Sequence, residues 1–306
     1  MKRARNIWKA FKMAGFGFIE DNALKLSASL SYYTVFALGP LLVMIMSLAG
    51  IFFGREAVQG RVYTQLNGLV GNAAALQIQD IIRNIQSSEL GTAGAIIGGT
   101  ILFIGATGVF TEMQDSINYI WSVKAKPKKG WLKYLTNRLL SFSLIIGFSF
   151  LLLVSLLVNA ILNLLSEKLT RLFPDTLQLF QVINSLIIVI VISGLFAVIF
   201  KVLPDAVISW MDALTGAIFT ALLFLLGKFL INYYIGSSNL GVTYGTAASI
   251  IIILIWVYYS SIILYFGAEF TKMYAIQSGS GIRPKETAVF IIKKEAKEVP
   301  TSYLET

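Results

Sequence analysis

Apolar residues in this chain run in long unbroken blocks, without the three-to-four-residue rhythm of a helix lying on a soluble core. Uncharged stretches cover 26–54, 90–111, 139–166 and 176–200, and a fifth tract, 213–268, is interrupted only by Lys228. That tract contains a turn-rich insert at 236–245, so it divides into two. A transmembrane helix needs about 20 mostly apolar residues, and each block is long enough. The pattern predicts an all-α, polytopic membrane protein: a bundle of six transmembrane helices at about 26–53, 91–121, 139–165, 182–203, 211–235 and 246–270. An N-terminal interfacial segment, 1–25, precedes this domain of 26–275, and a cytoplasmic tail, 276–306, follows it. Residues 1–25 interleave Trp8, Phe11, Phe16 and Phe18 with lysines and arginines, as in a helix lying in the membrane interface. Within the connection 54–90, apolar residues recur at helical spacing over 62–85, predicting amphipathic helices on the outer face. The tail from Gln277 is polar, carries Gly279, Gly281 and Pro284, and is expected to be mobile.

Charge then orients the bundle. Of 25 basic residues, 19 flank alternate span ends beginning with the N-terminus, and five (Arg55, Arg61, Arg83, Lys168 and Arg171) lie on the opposite side. The positive-inside rule places both termini in the cytoplasm. The net charge of +9 thereby reads as topology and contact with anionic headgroups rather than nucleic-acid binding. Membrane lipids are the expected partners, and a second copy of the chain is a further candidate. The first apolar run begins late and is too long for a signal-peptide core, so it is expected to remain as an anchor.

Composition limits the chemistry. With no cysteine and no histidine, disulfides, thiolate chemistry, histidine-ligated haem and the usual zinc sites are excluded, as is the commonest general base. No phosphate-binding loop, EF-hand, HExxH or GxSxG context occurs, so no cofactor, no metal and no enzymatic activity are expected.

Candidate functional residues are therefore the polar groups inside apolar segments. In the first span Tyr33 belongs to a hydroxyl-rich third, and Pro40 removes a backbone hydrogen bond and should kink the helix. In the second span Gly91, Gly94, Gly98, Gly105 and Gly108 share an arc of about 100°, a surface for close helix approach. Glu112 falls inside that arc, Asp115 at its edge, and Asn118 one turn beyond Glu112's neighbours. Two readings of Glu112 and Asp115 stay open, a buried functional carboxylate or a wet group at the helix end. Lys228 shares the small-residue face of the fifth span. It lies about 24 Å along the axis from Asp212, too far outward to pair with Glu112. Tyr258 and Tyr259 stand amid hydroxyls in the sixth span, as lining of a substrate route or as interhelical hydrogen-bonding glue. Glu269 and Lys272 are expected to pair locally at the inner interface, with little energetic effect.

Several of these residues lie in recognisable strings. Leu30-Ser31-Tyr32-Tyr33 with Leu38-Gly39-Pro40, then Met113-Gln114-Asp115-Ser116-Ile117-Asn118-Tyr119-Ile120-Trp121, resemble the YihY/BrkB family of bacterial inner-membrane proteins. So do Val242-Thr243-Tyr244-Gly245-Thr246 and Trp256-Val257-Tyr258-Tyr259 leading to Phe266-Gly267-Ala268-Glu269-Phe270. The resemblance spans roughly 10–275 and implies a six-helix membrane protein. Members once carried a mistaken ribonuclease BN label; others are called serum-resistance or virulence factors, and some are linked to lipid export or flipping. The expected function is a transporter or lipid flippase of unknown substrate. A scaffolding protein of the envelope is the alternative, and a ribonuclease is disfavoured by the missing histidines and metal cluster.

Overall fold

The computed structural model describes residues 2–37, 75–76, 78–79, 108–126, 177–237, 248–278 and 281–292. Pro40, the expected span 139–165, the glycine stripe before Gly108 and most of the external connection lie outside them.

Among the described residues the chain is mostly helical. Six helices recur: α1 (Lys2–Glu20), α2 (23–37), α3 (108–120), α4 (Leu177–Val202), α5 (Trp210–Ser237) and α6 (Ala248–Ser278). Trp210–Ile235 and Ile250–Gln277, with mean hydropathies of 2.1 and 2.2, are each long and apolar enough to cross a membrane. Four short strands complete the inventory: β1 (Val123–Ala125), β2 (Ala206–Val207), β3 (Arg283–Pro284) and β4 (Ala288–Phe290).

Local chemistry sets the helix ends. Asn22 adopts φ 51° between α1 and α2, a left-handed turn that asparagine tolerates better than most residues. Pro204 cannot extend α4. Ser209 then caps α5, its Oγ accepting the Asp212 N–H at 3.2 Å, in the Ser-x-x-acid arrangement that satisfies a free helix-terminal donor.

Helices α5 and α6 run antiparallel and interlock by exchange of glycine and threonine. A methyl group at Gly216 would overlap Thr271, and one at Gly267 would overlap Thr220. Each threonine hydroxyl donates to the glycine carbonyl four residues earlier on its own helix, both at 2.7 Å. No polar group is therefore spent across the contact, and the backbones approach until threonine side chains seat on bare glycine. Further along, Gly227 seats Tyr259 and Ile263. Phe196 on α4, Phe224 on α5 and Trp256 on α6 continue the packing as a chain of edge-to-face rings with centroids 6.0 Å apart.

One end of this bundle is tied together by polar contacts. Asn118 donates to Asp205 Oδ2 (3.0 Å) and accepts the Asp205 N–H (2.7 Å). Trp121, 2% exposed, donates its indole N–H to the Ala268 carbonyl at 3.0 Å. The expectation of a mobile C-terminal segment is corrected here for 281–292. Antiparallel pairing joins β1 to β4 and β2 to β3. The N–H groups of Lys285 and Ile291 donate to Asp205 and Ser122 carbonyls at 2.9 and 2.8 Å. Strand pairing and the packing of Ile282 and Ala288 against the core together hold this segment.

The Gly–Thr exchange makes a stability prediction. Gly216→Ala should lower the thermal midpoint in detergent, with an overpacking cost of about 1–3 kcal/mol. Adding Thr271→Ala should recover part of the loss, whereas Ala at the exposed Leu222 should change little. Equal midpoints for Gly216→Ala and the parent would refute the interlock.

Candidate functional site

Four polar residues of α6 share one face. Tyr258, Tyr265, Glu269 and Lys272 fall within an arc of about 60°, and the structure covers part of that stripe with α3 and α1. Tyr265 is fully buried, beside Ser116 and within electrostatic range of Glu112. One turn on, Glu269 is also fully buried.

The cover over Glu269 is α1. This helix presents Ala10, Ala14 and Gly17 to α6, all buried against Phe270 and Tyr274 or the carboxyl itself. A methyl group at Gly17 would sit 2.8 Å from Glu269 Oε2 and 3.3 Å from Oε1, so the missing side chain leaves the space the carboxyl occupies. Just past the helix end, Asp21 reaches the same point. Lys272 Nζ lies 3.2 Å from Glu269 Oε2 and 3.5 Å from Asp21 Oδ2, with its own side chain 14% exposed. Rings seal the flank: Phe11 and Phe18 pack edge-on against Phe266, at centroid distances of 5.6 and 5.8 Å.

The Glu269–Lys272 pair forms as expected, but buried rather than at a wet interface. A solvated ion pair contributes roughly 0–1 kcal/mol. This one is enclosed, so removing a partner would strand a desolvated charge. The Asp21 carboxyl also lies within hydrogen-bonding reach of Glu269, while Glu269 Oε1 has no hydrogen-bond donor among the described residues. Two carboxyls thus share one ammonium in a closed space.

The other candidates fall in several places. Tyr33 on α2 touches the Gly108 position of α3, where a methyl group would lie 3.4 Å from its ring, so α2 and α3 are neighbours. Glu112 is half-buried and Asp115 exposed, which puts Glu112 on the edge of the seam rather than at its centre. Asn118 is committed to Asp205. Lys228 is half-buried on α5, twelve residues past Gly216 and about 18 Å further along the axis. Tyr258 is half-buried, and Tyr259 packs over Gly227. Its neighbours Ser260 and Ser261 donate to carbonyls of their own helix, Trp256 (2.9 Å) and Val257 (2.8 Å). These two serine hydroxyls therefore donate to their own helix.

Sequence reasoning missed Gly17 and Asp21. The available signal was the run Ala10, Ala14, Gly17, Asp21, a small-residue stripe ending in an acid.

The family described as Virulence factor BrkB matches residues 16–290. A UPF0761 membrane protein of Photobacterium profundum is 27% identical over 299 residues, covering 92% of this chain and 87% of the relative. Another from Stenotrophomonas maltophilia is 28% identical over 288 residues, covering 90% and 63%. A third, from Rhodospirillum centenum, is 26% identical over 257 residues, covering 83% and 54%. The chain thus spans little more than half the length of some relatives and most of others. No solved structure matches.

The enclosed pair sets the next expectation. Lys272→Met should destabilise the protein by roughly 3–5 kcal/mol, the range for orphaning a buried charge. Adding Glu269→Gln should restore much of the loss, a coupling readable as non-additive thermal midpoints. Additive shifts would mean that the two side chains do not share an enclosed site.

Proposed function

Because the chain belongs to the Virulence factor BrkB family of membrane proteins, we propose that it is a multi-pass transporter of the bacterial inner membrane. Its substrate class is amphiphilic, lipid in the first instance. The observation that carries the reading is Glu269, a carboxyl 0% exposed within an apolar helix of membrane-spanning length. Placing an ionisable group there is costly, and such groups face bundle interiors where they serve substrate or ion movement. Burying a pair of carboxyls with one lysine adds nothing that an apolar contact would not supply to stability. The seam through Tyr265, Ser116 and Glu112 extends this polar interior away from the carboxyl pair.

The same structure supports a membrane arrangement. The C-terminal ends of α3, α4 and α6 and the N-terminal ends of α2 and α5 gather at the tied end, through Asn118–Asp205, Trp121–Ala268 and Asp21–Lys272. That alternation supports six spans, and the sequence bias of 19 basic residues flanking alternate span ends against five on the other side supports a cytoplasmic location for both termini. Helix α1 exposes Trp8, Phe16 and Ile19 beside Lys9 and Lys12, a combination suited to acyl chains and anionic headgroups at an interface.

Reporter fusions at Gly60, Lys128 and Thr306 should read outside, inside and inside; an external signal at either of the last two sinks the topology. For activity, purified protein in liposomes is assayed for lipid scrambling and for solute flux together. Lipid movement above protein-free vesicles is expected, falling about tenfold or more in Glu269→Gln, equivalent to at least ~1.4 kcal/mol. Lipid movement no faster than in empty vesicles would overturn the proposal.

A further inference from the structure

We infer that Asp21 and Glu269 form a binding site for one proton, shared between the two carboxyls and held in register by Lys272, and that this proton couples to transport. The coupling role rests on the transport reading above; the site itself does not.

The argument is one of donors and acceptors. Ionised carboxylates only accept hydrogen bonds. Glu269 lies in hydrogen-bonding reach of Asp21, yet with both groups bare neither has a hydrogen to offer, and Glu269 Oε1 finds no donor elsewhere among the described residues. A single proton placed between them makes one carboxyl the donor and the other the acceptor, turning repulsion into an O–H···O bond. Charge counting agrees. From α6 the charged group facing Glu269 is Lys272, and from the turn after α1 it is Asp21. Helix α5 meets this level of α6 through the uncharged Gly216 and Thr220, and its own Asp212 lies one turn beyond. At this point one ammonium serves two carboxyls, and a proton between the carboxyls replaces their mutual repulsion with a hydrogen bond.

A metal ion fits less well. No group of three or more metal-ligating acidic side chains occurs among the described residues, and the Lys272 ammonium already occupies the cationic position between the carboxyls. The proton needs no cavity, and Gly17 closes over the carboxyl from α1. Access is local: Lys272 retains 14% exposure, so its flank is the route by which the site meets water.

Infrared difference spectroscopy on the full chain in liposomes tests the site. As pH is stepped from alkaline to acid, one protonated-carboxyl C=O band assignable to this site, out of 16 side-chain carboxyls, should appear with deuterium sensitivity. Glu269→Gln and Asp21→Asn should each abolish it, while Asp115→Asn should not. If Glu269→Gln fails to fold, Asp21→Asn alone decides. A spectrum with no such band, or a band that survives both substitutions, overturns the proton site whatever the flux assay gives. Lipid or solute flux that ignores an imposed pH gradient overturns the coupling role. A band lost in both variants, in a protein that moves neither lipid nor solute, upholds the site and counts against transport alone.

Discussion

The contact on which the remaining structure depends is the exchange of Gly216 and Gly267 for Thr271 and Thr220 between α5 and α6. Inside a bilayer, apolar side chains gain little by leaving lipid for one another, because both surroundings are hydrocarbon. Association must come from close backbone approach and good packing. Glycine permits the approach, and threonine, by bonding its hydroxyl back to its own helix, offers a compact surface with no unmet polar group. The two positions on each helix are four apart, so one turn of each helix reads one turn of the other. This register places Ala268 where Trp121 reaches its carbonyl and turns Glu269 toward α1.

The tied end works by a different physics. Asn118 and Asp205 are 87 residues apart in sequence and satisfy each other twice. The backbone of Asp205 then accepts from Lys285, so the loop after α4 is fixed from two sides. Two short strand pairs could not stand alone. They persist because each extends a loop already fixed by a helix end, and they bring the segment after α6 back across the termini of α3 and α4.

Much of this was legible from hydropathy. The expected spans 211–235 and 246–270 correspond to helices Trp210–Ser237 and Ala248–Ser278. α5 ends where the apolar run ends. α6 continues for eight residues because Thr271, Lys272 and Tyr274 find partners on α5 and α1, and a hydropathy reading cannot see partners. The pairing of Glu269 with Lys272 was visible in their spacing, whereas the burial of that pair was not. Its cover comes from Gly17 and Asp21, about 250 residues earlier in the chain, and glycine carries no hydrophobic signal. Asn118 was picked out as a polar group within an apolar helix, which is a correct description. Its partner Asp205 lies in a loop where no periodicity points to it.

Helix α1 joins these two regimes because it has two distinct faces. Ala10, Ala14 and Gly17 bring it close to α6, while Trp8, Ile19, Lys12, Phe16 and Lys9 interleave on the exposed face. A helix lying in an interface is held by forces that act along its whole length, burial of aromatic surface and attraction to anionic headgroups. Its grip on Glu269, by contrast, is concentrated in the last turn and in Asp21. The small side chains of the packed face make that grip tight in distance but modest in buried area. The seating of α1 is therefore sensitive to charge at a single point. A bulkier packed face would have fixed α1 more firmly and removed the space in which two carboxyls and a lysine meet.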